Sequence, residues 1–110
     1  MKLAIVGSRK IDRVDISSHI PSDVSEIVSG GARGVDSLAR EYALRNGIKL
    51  TEFLPDYARY GRAAPIKRNE LIAEYSDMAL VFWDGSSKGT AHTVALFQKM
   101  NKEARVIVVG

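Results

Sequence analysis

The 110-residue sequence predicts an α/β domain built on one Rossmann-like, doubly wound parallel sheet of five strands, in the order 3-2-1-4-5. Three observations predict it. Five short apolar runs recur along the chain. Segments of helical period separate most of them. One run alternates while the others are continuous, which separates an edge strand from strands covered on both faces.

The first run is Leu3-Ala4-Ile5-Val6, ended by Gly7-Ser8-Arg9. Residues 10–23 carry only a weak pattern; Ile16, Ile20 and Val24 suggest one short helix interrupted at Pro21. The second run, Glu26-Ile27-Val28-Ser29, stops at Gly30-Gly31. Val35, Leu38, Ala39, Tyr42 and Ala43 then follow the 3.6-residue period up to Gly47. Residues 48–54 alternate, with Ile48, Leu50 and Leu54 on one side, so this third strand is placed at an edge.

A connection from residue 55 to residue 64 follows, long for a compact α/β domain. Pro65 suits the first turn of a second helix, whose stripe is Ala64, Arg68, Leu71, Ile72 and Tyr75. Residues 78–83 form a continuous fourth run. A third helix is expected over residues 90–100, with Ala91, Val94, Ala95, Leu96 and Phe97 making a broad, deeply buried face. Residues 106–109 supply the fifth strand.

Composition agrees with one folded domain. Hydrophobic residues are 45% and charged residues 26%, which argues against disorder. There are no cysteines, so disulfides, thiolate metal sites and cysteine nucleophiles are excluded together. Two histidines are too few for a His-rich metal site. No apolar run approaches a membrane span and the N-terminus lacks a signal-peptide core, so a cytoplasmic protein is expected. The net charge of +3 says little by itself. Arg59, Arg62, Lys67 and Arg68 are clustered, however, and such a patch suits either a solvated loop or an anionic partner.

In the strand order 3-2-1-4-5 the first and fourth strands flank the topological switch point, and ligands bind beyond the carboxyl ends of strands there. Three glycine-rich segments fall at those ends: Gly7-Ser8-Arg9, Gly30-Gly31-Ala32-Arg33-Gly34-Val35-Asp36, and Asp84-Gly85-Ser86-Ser87-Lys88-Gly89-Thr90. The latter two open helices, whose free N–H groups attract phosphate. One such turn is ordinary; three beside Arg9, Arg33 and Arg68 point to an anion site. Neither G-x-G-x-x-G nor G-x-x-x-x-G-K-[ST] occurs, which disfavours ordinary dehydrogenases and P-loop ATPases.

Each single residue has a plainer reading. Arg68 either snorkels to the surface or, from the first helical turn, points at the strand ends. Asp36 either favours its helix N-terminus or accepts hydrogen bonds from the Gly7–Arg9 turn. Asn69 is either a polar helix residue or a ligand contact. Tyr57 and Tyr60 either pack down or stack on a base. His92 faces either ligand or solvent. No Ser/His/Asp order and no paired-carboxylate site stands out.

Together these segments resemble the SLOG superfamily of Rossmann-like nucleotide-binding proteins over nearly the whole chain. Gly7-Ser8-Arg9, Ser29-Gly30-Gly31-Ala32-Arg33-Gly34-Val35-Asp36, Arg68-Asn69 and Gly89-Thr90 occur in its order. Pro55-Asp56-Tyr57, then Tyr60-Gly61-Arg62-Ala63-Ala64-Pro65-Ile66-Lys67-Arg68-Asn69, is similar to the small stand-alone YspA-type members, which often carry tryptophan at the position of Tyr57. The DNA-processing protein A family has similar segments and binds single-stranded DNA. The "lonely guy" phosphoribohydrolases share a Gly-Thr turn and cleave nucleoside monophosphates. Their motif has a glutamate three residues after that threonine, where this chain has Thr93.

The resemblance implies a binder or sensor of a nucleotide or nucleotide-derived phosphate ligand, acting with a separate effector. The expected ligand-binding residues are Gly7, Ser8, Arg9, Gly30, Gly31, Ala32, Arg33, Asp36, Arg68, Asn69, Asp84, Gly85, Ser86, Gly89 and Thr90. No catalytic residue and no metal ligand is assigned, and no cofactor beyond the nucleotide ligand. The expected partner is a nucleotide-like small molecule. Single-stranded nucleic acid is the alternative, nucleotide N-glycosidase activity a second one, and relatives commonly self-associate.

Overall fold

The computed structural model describes residues 1–109. Five strands form a single all-parallel sheet in the order β3-β2-β1-β4-β5. The strands are β1 (Lys2–Gly7), β2 (Glu26–Ser29), β3 (Lys49–Glu52), β4 (Met78–Trp83) and β5 (Ala104–Val108). The helices are α1 (Val35–Arg45), the single turn α2 (Tyr57–Tyr60), α3 (Ala64–Tyr75) and α4 (Lys88–Lys99). No helix among the described residues is long and apolar enough to cross a membrane.

Alternation along β1 divides the core. Leu3 and Ile5 point to the α1 face, where they join Ile27, Val35, Ala39, Ala43, Leu80 and Phe82. Ala4 and Val6 point to the opposite face and meet Val28, Ile72, Ala73, Val81 and Phe97, the last three from α3, β4 and α4. β1 pairs with β2 on one edge and β4 on the other, with Leu3 opposite both Ile27 and Met78. Strands covered on both faces need apolar residues at every position, which is why β1 and β4 read as unbroken runs.

Several expectations are corrected. Residues 10–24 contain only a 3₁₀ turn, Ser17–His19, yet Ile11 and Ile16 are buried against the α1 face. The segment caps that face with side chains alone. Leu54 lies beyond β3 and is 65% exposed. Leu71 leaves the α3 stripe and is exposed, while Asn69 and Ala73 are buried. α4 is not deeply buried: its inward positions are Thr90, Thr93 and Phe97, and Ala91 and Ala95 face outward. The long connection holds α2 and a 3₁₀ turn, Gly61–Ala63, so it is folded rather than an open loop.

Candidate functional site

The site grows from the carboxyl ends of β1, β2 and β4. Beyond β1, the Ser8 N–H donates to the Phe82 carbonyl at 3.1 Å, and Ser8 Oγ accepts from the Asp84 N–H at 3.2 Å. Ser8 is therefore a buried staple between two strand ends. The Ile11 N–H donates to the Ser8 carbonyl at 3.1 Å. That turn leaves Arg9 and Lys10 at its tip, both exposed.

Beyond β2, the chain makes the glycine-rich turn that opens α1. Asp36 Oδ2 accepts the Ala32 N–H at 3.0 Å. Its carboxylate shapes this turn and makes no hydrogen bond to the Gly7–Arg9 turn, which settles the two readings of Asp36 in favour of its own helix entry. Burial pushes the Asp36 carboxyl above the usual carboxylate range, against the Ala32 N–H and the charge of Arg68.

Arg68 sits in α3, three residues after Pro65 in the first turn. Its side chain turns inward: Nη1 donates to the Gly30 carbonyl at 2.8 Å and Nε to Asn69 Oδ1 at 2.9 Å. Burial lowers the guanidinium's pKa while the Asp36 carboxylate raises it. Asn69 is buried and orients Arg68, so it is more than a polar helix residue. Gly30 is needed here because the guanidinium lies where a side chain would go.

At β4, Asp84 Oδ1 accepts the N–H groups of Ser86 at 2.9 Å and Ser87 at 2.8 Å. These bonds hold the Asp84 carboxyl below the usual range. Ser87 is the N-cap of α4 and accepts from the Thr90 N–H through Oγ. Thr93 Oγ1 donates back to the Gly89 carbonyl at 3.1 Å.

These three ends enclose a cavity of about 450 Å³, within the range of small-molecule sites. Its walls include Gly7, Arg9, Gly30, Gly31, Ala32, Asp36, Arg68, Asn69, Gly89 and Thr90, all expected from the sequence. Five expected residues do not line it. Ser8 is the staple, Arg33 points to a neighbouring depression, and Asp84, Gly85 and Ser86 form the turn that leads to the Ser87 cap of α4. Pro55, Pro65, Ile72, Ser87 and Thr93 line it without having been assigned to a ligand. Ser87 had a signal, since Ser87-x-x-Thr90 is an N-cap spacing.

Tyr57 also lines the cavity and is 61% exposed, so its ring stands free at the mouth. Tyr60 carries Arg59 over its ring at 5.2 Å, outside the lining. His92 does not line the cavity; its Nδ1 is buried without a hydrogen-bond partner among the described residues. No group of three His, Asp or Glu among the described residues is placed to hold a metal ion. The cavity thus offers two guanidinium groups, a helix N-terminus and one buried carboxyl.

The family described as YspA, cpYpsA-related SLOG matches residues 1–60. That stretch holds β1, the glycine-rich turn after β2, α1 and β3. The Gene 61 protein of Mycobacterium phage D29 is 35% identical over 79 residues, which is 66% of this chain. The chain spans 63% of that relative's length. No solved structure matches significantly.

Proposed function

The chain belongs to the YspA, cpYpsA-related SLOG family, and from that premise we propose that it binds the phosphate of a nucleotide or nucleotide derivative at the carboxyl end of its sheet. The observation that carries this reading is the convergence of Arg9, Arg68 and the N-terminus of α4 on one cavity. Two cations and unpaired helix N–H groups suit an anion and no neutral ligand equally well. Tyr57 at the mouth supplies a face for the base.

Its role is binding rather than turnover. Thr93 occupies the place of the phosphoribohydrolase glutamate, and its hydroxyl is committed to the Gly89 carbonyl. Asp84 spends an oxygen on two N–H groups outside the cavity. The ligand would then act as a signal read by a separate effector.

Calorimetry with nucleoside 5′-monophosphates against the matching nucleosides tests this. Monophosphates should bind and nucleosides should not. Arg68→Ala should weaken the monophosphate by about ten- to a hundredfold, the equivalent of one charge-assisted contact. No binding across the panel, or full affinity in the variant, would overturn the assignment.

A second reading, single-stranded nucleic acid binding, is favoured by the exposed Tyr57 and the Arg59–Tyr60 stack. It is weakened by Lys67, which pairs with Glu70 at 3.8 Å, and by Arg68, which faces inward. With Arg59 and Arg62 left, the log–log salt slope for an oligonucleotide should be only about −1.4. Tight, length-dependent binding that mononucleotides cannot displace would promote this reading over the first.

A further inference from the structure

Arg9 lines two depressions. One is the cavity described above; the other, of about 560 Å³, is walled by Arg9, Lys10, Asp12, Arg33 and Gly34. Gly34 has φ +75°, and a Cβ there would lie 2.5 Å from the Arg9 carbonyl oxygen. The entry of α1 therefore rests directly on the backbone of the β1 turn, and Arg9 stands between the two depressions.

Arg9, Lys10 and Arg33 are all exposed, and none forms an ion pair among the described residues. They face one carboxylate, Asp12, so a formal excess of positive charge remains. Isolated surface cations need no explanation. Three without ion-pair partners on one concave surface, joined through Arg9 to the main cavity, give that surface a positive field that suits an anion. A guanidinium presents donors along more than one edge and can bridge neighbouring phosphates.

Resting on the reading of the first cavity as a nucleotide phosphate site, we infer that the ligand is a nucleotide with a second, adjacent phosphate. The second phosphate is held between Arg9, Lys10 and Arg33 and the first lies in the main cavity. Lys10 and Arg33 are the residues that distinguish a diphosphate from a monophosphate.

The test compares AMP with ADP, and GMP with GDP, by calorimetry on the whole chain at about 0.1 M salt, where exposed charges still act. Wild type should bind the diphosphate roughly tenfold more tightly than the monophosphate, as one added charge-assisted contact provides. The Lys10→Ala/Arg33→Ala double variant should lose that preference while keeping wild-type affinity for the monophosphate. Both substitutions are on exposed side chains, and circular dichroism checks that the fold is kept. Equal affinity for the two phosphates in wild type, or a preference that survives the double variant, overturns the inference and leaves the monophosphate site standing. Failure of all four nucleotides in wild type overturns both. Oligonucleotide binding that is lost in the double variant but not displaced by ADP would assign the depression to a nucleic-acid strand and also overturn it.

Discussion

A methyl group on Gly30 would lie 2.4 Å from Nη1 of Arg68, the nitrogen that donates to the Gly30 carbonyl at 2.8 Å. Two residues 38 positions apart thus occupy one another's space. The glycine is absent of side chain so that the arginine can lie across the end of β2. The arginine in turn fixes the turn that opens α1.

Gly30→Ala should therefore act through Arg68. Gly30 does not have positive φ, so its backbone tolerates alanine; the guanidinium must move, and Asp36 Oδ2, 3.1 Å from the added methyl, must give by a few tenths of an ångström. Folding stability should fall by about 1–2 kcal/mol, and nucleotide affinity by about ten- to a hundredfold, as in Arg68→Ala. The double variant should be little worse than either single one, because both remove the same contact. Additive losses of affinity would separate the two residues.

Asp36→Asn should change how stability depends on pH. Burial raises the folded carboxyl above its ordinary value of 3.8, so the folded state takes up a proton before the unfolded chain does. The contribution of Asp36 to stability is then lowest near neutrality. It improves as pH falls through the raised value towards 3.8. Urea titrations at several pH values should show the difference between wild type and Asp36→Asn moving in favour of wild type on acidification. A constant difference would rule this out.

Glu26 should behave in the opposite sense. It is 6% exposed, and burial alone would raise its carboxyl; hydrogen bonds from the Thr51 and Tyr75 hydroxyls and the charge of Lys49 outweigh this and hold it below 4.5. Its stabilisation is present above pH 4.5 and is lost as pH falls through the folded value. Glu26→Gln should cost about 1–2 kcal/mol near neutrality, by weakening hydrogen bonds to a charged acceptor. The cost should shrink in acid. A cost independent of pH would show that the hydroxyls, not the charge, matter.

Incubation with nucleoside monophosphates, or with NAD, should release no base above background by chromatography. A carboxylate beside the glycosidic bond normally supports such chemistry. Asp36 is the cavity's carboxylate, and one of its oxygens is tied to the Ala32 N–H. Robust release that disappears in Asp36→Asn, with the fold retained, would make the chain an enzyme.

The sheet order was legible because burial writes itself into β1 and β4 as unbroken apolar runs and into β3 as alternation. The same rule misleads at β5. Its valines also form a run, yet Val106 and Val108 are 40% and 67% exposed at the sheet's edge. In α4, alanines counted as a broad apolar face, but the inward positions next to the cavity are threonines. Residues 10–24 defeat periodicity altogether, because Ile11 and Ile16 are buried from irregular backbone. At the site, the place of Arg68 near the start of its helix indicated its direction, although α3 begins at Ala64 and puts Arg68 in the second turn. Asp36 was harder, since its partner is an N–H four residues back, which leaves no mark on composition. The outward placement of Gly85 and Ser86 depends on where α4 begins, and helix boundaries are the least legible feature of a sequence.

The central position of β1 has a kinetic consequence. β1 is synthesised well before β4, and one of its two edges is completed only by β4, with Leu3 paired to Met78. At about 5–20 residues per second, roughly four to fifteen seconds separate the emergence of these partners from a ribosome. During that delay an apolar strand has β2 on one side and an open ladder on the other. Nothing in residues 1–60 can close that ladder, because β4 begins at Met78. Refolding in vitro should thus be limited by a long-range pairing event, and fragments ending before β4 should aggregate instead of reaching a native-like state.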